Sequence, residues 1–166
     1  MEKKERFNAL FASHYAKVLR LCKGYFKGDE ALASDAAQDA FMKIWTHLDS
    51  FRDESNISTW AYRIAVNTCL LYLRKHAARR EKATDVFPPV AVEKYSYEED
   101  EKLRRMYACI DRLDEKSKVI ILMVLEGISY EEIAEELDAP LGTVKAQLHR
   151  ARELMFEMVK NKRDHI

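Results

Sequence analysis

A helix predicted near residues 141–155 carries side chains whose chemistry suits DNA recognition. Its apolar residues recur at helical spacing and predict a buried stripe of Leu141, Val144, Leu148, Ala151 and Met155. The opposite face would carry Lys145, Ala146, His149 and Arg150, with Thr143 and Gln147 on the flank. Small, amide and basic side chains on one helix face can contact base edges and phosphates in the major groove. An ordinary helical hairpin has the same periodicity, so both interpretations stay open on this motif alone.

A shorter helix ahead of this one would hold its outer face in place. Ser129 and Glu132 have the spacing of a capping box, in which each side chain bonds the backbone of the other residue. Asp138-Ala139-Pro140 then breaks the helix, because proline disfavours helical geometry in the residue before it. The segment from Ile128 to Arg152 therefore predicts a helix-turn-helix.

A second set of candidate residues lies in the segment STWAYRIAVN, residues 58–67. On a helical wheel Trp60, Ile64, Asn67 and Leu71 share one face, and Arg63 and Arg74 lie at its edge. A buried asparagine needs hydrogen-bond partners, so one interpretation is a structural bond to a neighbouring helix or loop. The other is a nucleic-acid surface, on which the ring stacks on unpaired bases and the arginines hold the backbone.

The sequence lacks the residue patterns of common catalytic and metal-binding sites. Glu131, Glu132, Glu135 and Glu136 lack a neighbouring histidine and are interpreted as a hydrated helix face. Cys22, Cys69 and Cys109 are far apart and predict buried free thiols in a reducing compartment. The chain has no phosphate-cradling glycine loop, zinc-protease motif or nucleophile elbow. We therefore expect no enzyme, no catalytic residues, no metal and no cofactor.

Composition favours an all-α protein. Only 4 glycines and 3 prolines occur in 166 residues, and no segment alternates with the period of a strand. No apolar run approaches the roughly 18 residues of a membrane span, and the N-terminus has no apolar signal core. A cytoplasmic protein with no direct membrane insertion is expected.

Charge and proline divide the chain into two small helical bundles and a flexible acidic linker. Residues 1–80 carry 14 basic and 9 acidic side chains and form the first bundle, and residues 101–166 form the second. Residues 81–100 carry 2 basic and 6 acidic side chains and include Pro88-Pro89. An extended linker of this length spans roughly 60–70 Å at about 3.3 Å per residue. Two DNA-binding bundles could therefore lie about two helical turns of DNA apart.

Both halves resemble one known family. In the N-terminal half the resemblance rests on DAAQDAFMKIW (35–45), Phe51-Arg52, STWAYRIA (58–65), Asn67 and Tyr72-Leu73-Arg74. In the C-terminal half it rests on LEGISYEEIA (125–134), GTVK (142–145) and LHRAR (148–152). With these motifs in this order and spacing, the chain resembles an extracytoplasmic-function (ECF) sigma factor of bacterial RNA polymerase.

The resemblance implies three groups of site residues. Residues expected to bind RNA polymerase are Asp35, Gln38, Asp39, Phe41 and Trp45. Residues expected to open and hold the minus-ten element are Phe51, Arg52, Ser55, Asn56, Ser58, Thr59, Trp60, Arg63, Asn67 and Arg74. Residues expected to recognise the minus-thirty-five duplex are Thr143, Lys145, Ala146, Gln147, His149 and Arg150.

The resemblance also implies partners. These are the clamp helices and flap of core RNA polymerase, promoter DNA, and an anti-sigma factor. The acidic linker would follow the RNA path through the polymerase. A stand-alone helix-turn-helix regulator with a sensing or dimerising N-terminal half is the main alternative, and a protein-interaction bundle is a third.

Two positions depart from the family pattern. Leu71 replaces a frequent aspartate, so no Asn–Asp pairing with Asn67 is available. Ala146-Gln147 replaces a frequent Ser-Arg. Arginine typically recognises guanine, glutamine can recognise adenine, and alanine can contact a thymine methyl group.

We therefore predict that Gln147→Arg shifts the preferred minus-thirty-five sequence towards guanine. Selection of binding sites from a randomised duplex pool, with wild type and variant in parallel, measures the change. Identical preferred sequences for the two proteins would contradict this assignment of Gln147.

Overall fold

A computed structural model describes residues 2–53, 56–82 and 98–163. Within these ranges the chain forms seven α-helices, one short 3-10 turn and no strand. The helices are α1 (Lys3–Tyr25), α2 (Glu30–His47), α3 (Ile57–Lys82), α4 (Glu98–Asp111), α5 (Glu115–Leu125), α6 (Tyr130–Glu136) and α7 (Leu141–Arg163), and the 3-10 turn is Leu48–Ser50. The all-α prediction is confirmed.

The first bundle consists of α1, α2 and α3, which pack against one another. The face that α2 buries is made largely of fully buried small residues, Ala33, Ala36, Ala37 and Ala40. Small side chains let helix backbones approach closely, so α2 lies deep between its neighbours. Asp29 begins α2 as an N-cap, since its carboxylate accepts from the Leu32 amide at 3.1 Å.

The second bundle consists of α4 to α7 and contains the predicted helix-turn-helix. Asp114 caps α5 by accepting from the Ser117 amide at 3.2 Å, and Gly127, with φ 83°, follows the end of α5. The buried α7 residues Val144, Leu148 and Ala151 share the core with Ile133 of α6. Burial of this stripe fixes which face of α7 is outward.

The two bundles also pack directly against each other. Gly24 of α1 lies so close to Leu122 of α5 that an added Cβ would be 2.3 Å from the Leu122 Cδ2. Beside it, the Arg20 guanidinium donates to both carboxylate oxygens of Glu126, at 3.2 and 3.0 Å. Nearly all buried hydrophobic residues of the two bundles belong to one cluster.

The predicted linker coincides only partly with the described helices. The helix α3 continues to Lys82 and α4 begins at Glu98, both inside the range 81–100. Residues 83–97, with Pro88-Pro89, lie outside the described residues, so the linker remains a sequence prediction.

We predict that Gly24→Val weakens the packing of α1 on α5 and lowers the free energy of unfolding by about 1–3 kcal/mol, as overpacking does in a close contact. Urea unfolding of the full chain measures the loss. Ala16→Val, at an exposed position of the same helix, controls for the helix propensity of valine. Equal stability of the two variants would contradict the close contact.

Candidate nucleic-acid interface

The outer face of α7 is largely as the sequence predicted. Thr143, Lys145, Ala146, His149 and Arg150 are all exposed. Val144, Leu148 and Ala151 are buried behind them. The helix therefore presents two cations, a hydroxyl, an imidazole and a methyl group to solvent on one side.

Gln147 lies at the edge of this face rather than at its centre. The side chain is half-buried, and its Oε1 is buried with no hydrogen-bond partner among the described residues. A buried amide oxygen without a partner is unfavourable, so a rotation that brings this amide to a base edge would cost little.

The backbone at Asp138 and Pro140 forms the turn that precedes α7. Asp138 follows α6 with φ 49°, in the left-handed region. The Pro140 carbonyl then accepts from the amides of Thr143 and Val144, and α7 begins there.

On the outer face of α7 the His149 Nε2 lies 3.1 Å from Glu153, one turn further along. His149 is therefore available to DNA only together with a neighbouring carboxylate.

The start of α3 forms the second candidate surface. The Asn56 Oδ1 accepts from the Ser58 amide at 2.9 Å and caps this end of the helix. The rings of Phe51 and Trp60 pack with centroids 4.8 Å apart. The loop before α3 is thus fastened to its first turn by an aromatic contact, and exposed Arg52 lies beside it. Ser55 lies outside the described residues.

Asn67 was expected to be buried if its role were structural. In the structure its side chain is exposed, and it makes no side-chain hydrogen bond within residues 2–53, 56–82 and 98–163. Leu71 and Arg74 are exposed on the following turns, and Arg63 and Trp60 are half-buried. The structural interpretation of Asn67 is wrong, and an exposed face suited to nucleic acid remains.

Two residues that no sequence motif indicates also contact this surface. The His14 Nε2 lies 2.6 Å from the Ser58 Oγ, and burial lowers the pKa of His14. The Glu132 carboxylate accepts from the Thr59 hydroxyl at 3.3 Å and from the Asn56 amide at 3.4 Å. Both are contacts between segments distant in sequence, for which no local motif exists.

The positions of Glu132 and Glu136 differ from those that the sequence predicts. Ser129 caps α6 as predicted, accepting from the Glu132 amide at 3.2 Å, but the Glu132 carboxylate contacts α3 instead of completing the capping box. Glu136 is also half-buried, and desolvation raises its pKa while the nearby Arg63 charge opposes the rise. Only Glu131 and Glu135 form the hydrated face expected for all four glutamates.

The candidate polymerase-binding residues lie on and around α2. Asp35 and Gln38 are exposed, whereas Phe41 is buried in the core. The Asp39 carboxylate accepts a hydrogen bond from the Tyr72 hydroxyl, and burial together with this bond raises the pKa of Tyr72 to about 12. Asp39 therefore joins α2 to α3.

Trp45 is the exposed aromatic residue of this surface. Its side chain is 40% exposed, and the Lys3 ammonium lies 4.5 Å from its ring centroid. Met42, one turn earlier, is 68% exposed and was not among the predicted residues. Together they give α2 an apolar patch beside Asp35 and Gln38.

An apolar groove of about 390 Å³ lies on the second bundle between α4, α5 and α7. It is lined by Met106, Ile121, Val124, Leu125, Arg152, Met155, Phe156 and Val159. Phe156 is 71% exposed and Leu125 is 56% exposed. Exposed apolar side chains grouped in this way are typical of a protein-binding surface.

Across 2–53, 56–82 and 98–163, no three His, Cys, Asp or Glu side chains are grouped as metal ligands would be. None of the described helices is long and apolar enough to cross a membrane.

Both halves of the chain match sigma-70 regions. Residues 10–79 match the family Sigma-70 region 2, and residues 103–155 match Sigma-70, region 4. These two matches contain the α3 surface and the α7 surface respectively.

Two individual relatives are similar to this chain over most of its length. It is 36% identical to the ECF RNA polymerase sigma-E factor of Escherichia coli (strain K12), covering 93% of this chain and 86% of that protein. It is 37% identical to the ECF RNA polymerase sigma-E factor of Haemophilus influenzae, covering 96% and 88%. The chain therefore belongs to the ECF sigma factors, which direct promoter-specific initiation of transcription. A stand-alone regulator is not supported.

Solved structures show the same fold. The sigma factor RpoE, in complex with the anti-sigma factor NepR from Bartonella quintana, superposes with a TM-score of 0.78 at 23% identity, covering 94% of this chain and 98% of that one. The structure of CnrH in complex with the cytosolic domain of CnrY gives a TM-score of 0.72 at 21% identity, covering 95% and 90%.

The exposure of Asn67 generates a test of its role. Because Asn67 is exposed and unpaired, Asn67→Ala should change the free energy of unfolding by less than about 0.5 kcal/mol. Loss of a hydrogen bond to an unpaired base, worth about 0.5–1.5 kcal/mol, should nevertheless reduce open-complex formation by polymerase carrying the variant. Thermal unfolding and permanganate footprinting measure the two effects.

Asn8→Ala is the matched control, since Asn8 is exposed on α1. Destabilisation by Asn67→Ala with unchanged open complexes would assign Asn67 a structural role instead.

Proposed function

We propose that promoter recognition depends on two parts of the chain. Residues 1–80 contribute the exposed surfaces of α2 and α3, and residues 101–166 contribute the exposed surface of α7. The observation that carries the proposal is the presence of two separate surfaces suited to nucleic acid, one at the start of α3 and one on α7. They lie in the chain in the order of sigma regions 2 and 4. Residues 81–100 join them.

In the first half, α2 docks on the clamp helices of core RNA polymerase. Asp35 and Gln38 supply exposed polar contacts, and Trp45 with Met42 supplies an exposed apolar patch. Phe41 and Asp39 act indirectly, because Phe41 is buried and Asp39 bonds Tyr72. They position the docking surface.

The start of α3 opens and holds the minus-ten element. Extruding a base costs a few kcal/mol, which stacking and hydrogen bonds in a pocket can offset. The Phe51–Trp60 aromatic pair, the Ser58 hydroxyl and the exposed Asn67 offer both kinds of contact. Thr59 is buried, and its hydroxyl, which donates to Glu132 in this structure, becomes available only when that bond breaks. Arg52, Arg63 and Arg74 hold the backbone phosphates.

The outer face of α7 enters the major groove of the minus-thirty-five element. Lys145 contacts phosphates, while Arg150, Gln147 and Ala146 contact base edges. The apolar groove behind this face, with exposed Leu125 and Phe156, docks on the polymerase flap.

Three further features follow from this role. The chain acts in the cytoplasm, where the polymerase and chromosome are. It contributes binding energy rather than a catalytic residue, because the polymerase makes the phosphodiester bond. An anti-sigma factor regulates it, a proposal supported by the structural neighbour RpoE, which was solved in complex with the anti-sigma factor NepR.

Run-off transcription with core polymerase on a promoter library tests the proposal. Addition of this chain should give new start sites, and Asp35→Ala should reduce co-purification with core polymerase, since it removes an exposed contact of α2. Glu5→Ala, an exposed carboxylate on α1, is the control and should bind like wild type. Absence of new start sites on every template would overturn the proposal.

A further inference from the structure

His14 of α1 contacts the start of α3 at a residue assigned above to the minus-ten element. The Nε2 atom of the imidazole lies 2.6 Å from the Ser58 Oγ. The other ring nitrogen, Nδ1, lies 3.1 Å from the Leu10 carbonyl oxygen and 2.7 Å from the Ser13 Oγ. Both ring nitrogens are therefore engaged, and the chemistry of each partner decides which nitrogen donates.

Two partners on α1 place the proton of the neutral imidazole on Nδ1. A carbonyl oxygen only accepts hydrogen bonds, so the contact with Leu10 requires a proton on Nδ1. The Ser13 hydroxyl agrees with this assignment. It lies 2.8 Å from the Ala9 carbonyl and donates there, which leaves its oxygen to accept from Nδ1. In the neutral ring Nε2 is then an acceptor.

The surroundings of the ring keep it neutral at pH 7. Burial lowers the pKa of His14 below its ordinary value, and the nearby Lys17 charge lowers it further, while the bond to Leu10 opposes both effects. Tyr62 of α3 has its ring centroid 6.0 Å from that of His14. Burial raises the pKa of Tyr62 to about 12, so this neighbour stays uncharged.

The neutral ring leaves Ser58 with only an acceptor to offer to a further partner. A serine hydroxyl has one proton and two lone pairs, and here the proton is donated to the His14 Nε2. The Ser58 backbone amide is also in use, since it donates to the Asn56 Oδ1 at 2.9 Å. Ser58 is only half-buried, so part of the residue stays open to a partner.

An oxygen that can only accept distinguishes between the parts of a DNA strand. Phosphate oxygens are acceptors themselves and cannot bond it. The exocyclic amino groups of adenine, cytosine and guanine are donors and can do so, whereas thymine has no amino group. The acceptor at Ser58 therefore suits a base and not the backbone.

We propose that His14 is a positioning residue for promoter recognition. It holds the Ser58 hydroxyl as a hydrogen-bond acceptor, and Ser58 uses that acceptor to select an amino-bearing base on the unpaired non-template strand. The proposal rests on the function proposed for the start of α3. His14 acts through Ser58, which contacts the base.

Binding of bases that lack an amino group tests the proposal. The protein is the holoenzyme, which is core RNA polymerase carrying this chain. The probe is a fluorescent single-stranded oligonucleotide with the non-template sequence upstream of a start site that the wild-type holoenzyme uses in run-off transcription. Each adenine, cytosine or guanine is replaced in turn by purine, 2-pyrimidinone or hypoxanthine. Loss of one hydrogen bond should weaken wild-type binding about two- to tenfold at one position, and Ser58→Ala should abolish that difference.

Two substitutions of His14 separate its effect on the hydroxyl from a purely structural role. His14→Leu removes the acceptor, so the Ser58 hydroxyl can turn and donate, and the discrimination at that position should be lost. His14→Gln can keep an amide oxygen near the Ser58 Oγ and should retain the discrimination. His47→Leu removes an exposed imidazole at the end of α2, and this control should discriminate like wild type.

A change of pH tests the same contact without a substitution. Because the pKa of His14 is lowered, its ring becomes charged only below the ordinary value of 6.5. Nε2 then carries a proton and donates to the Ser58 oxygen, which frees the hydroxyl proton. Discrimination by wild type should be present at about pH 7.5 and decline towards about pH 5, whereas His14→Gln should discriminate equally at both, since an amide does not titrate there.

The outcomes distinguish this proposal from the proposed function. If the wild-type holoenzyme starts transcription but the discrimination is absent, survives in His14→Leu or is unchanged between the two pH values, the role of His14 is rejected. Equal weakening of every oligonucleotide by His14→Leu also rejects it and assigns His14 a role in packing. If His14→Leu fails to fold, the comparison of wild type with His14→Gln at the two pH values decides. Failure of the wild-type holoenzyme to start transcription overturns the proposed function instead.

Discussion

The deep burial of the alanine face of α2 is the constraint on which the rest of the first bundle depends. With Ala33, Ala36, Ala37 and Ala40 fully buried, α1 and α3 can both lie close to α2. The opposite side of α2 is then necessarily outward, with Asp35, Gln38 and Met42 exposed. The same packing directs α3 so that Asn67 and Arg74 reach solvent. A single packed face thus orients both the surface assigned to polymerase and the surface assigned to melted DNA.

Packing of one helix on another also orients the surface of the second bundle. The short helix α6 has only seven residues, too few for an isolated helix to be stable. It persists because Ser129 caps it and Ile133 packs against the stripe of Val144 and Leu148 on α7. This packing also orients α7, with Val144 and Leu148 in the core and the opposite face in solvent.

Much of this architecture was predictable from the sequence, because helix periodicity and caps are local. The starts of α2 and α3, the Asp114 and Ser129 caps and the break at Asp138 to Pro140 all depend on residues within a few positions of one another. Glu132, Glu136 and Asn67 could not be placed in this way. The exposure of Glu132 and Glu136 depends on how the two bundles meet, and that of Asn67 depends on how α3 packs on α2. No periodicity within one helix encodes either contact.

The buried thiols of the first bundle have a practical consequence. A hydrogen bond to the Cys22 thiol and burial raise the pKa of Cys69, and both side chains are fully buried between α1 and α3. Only a thiolate reacts quickly with alkylating agents and peroxides. Modification of these two sulfurs therefore has to await a local parting of α1 from α3. The rate at which an alkylating reagent modifies them therefore reports how often α1 and α3 separate.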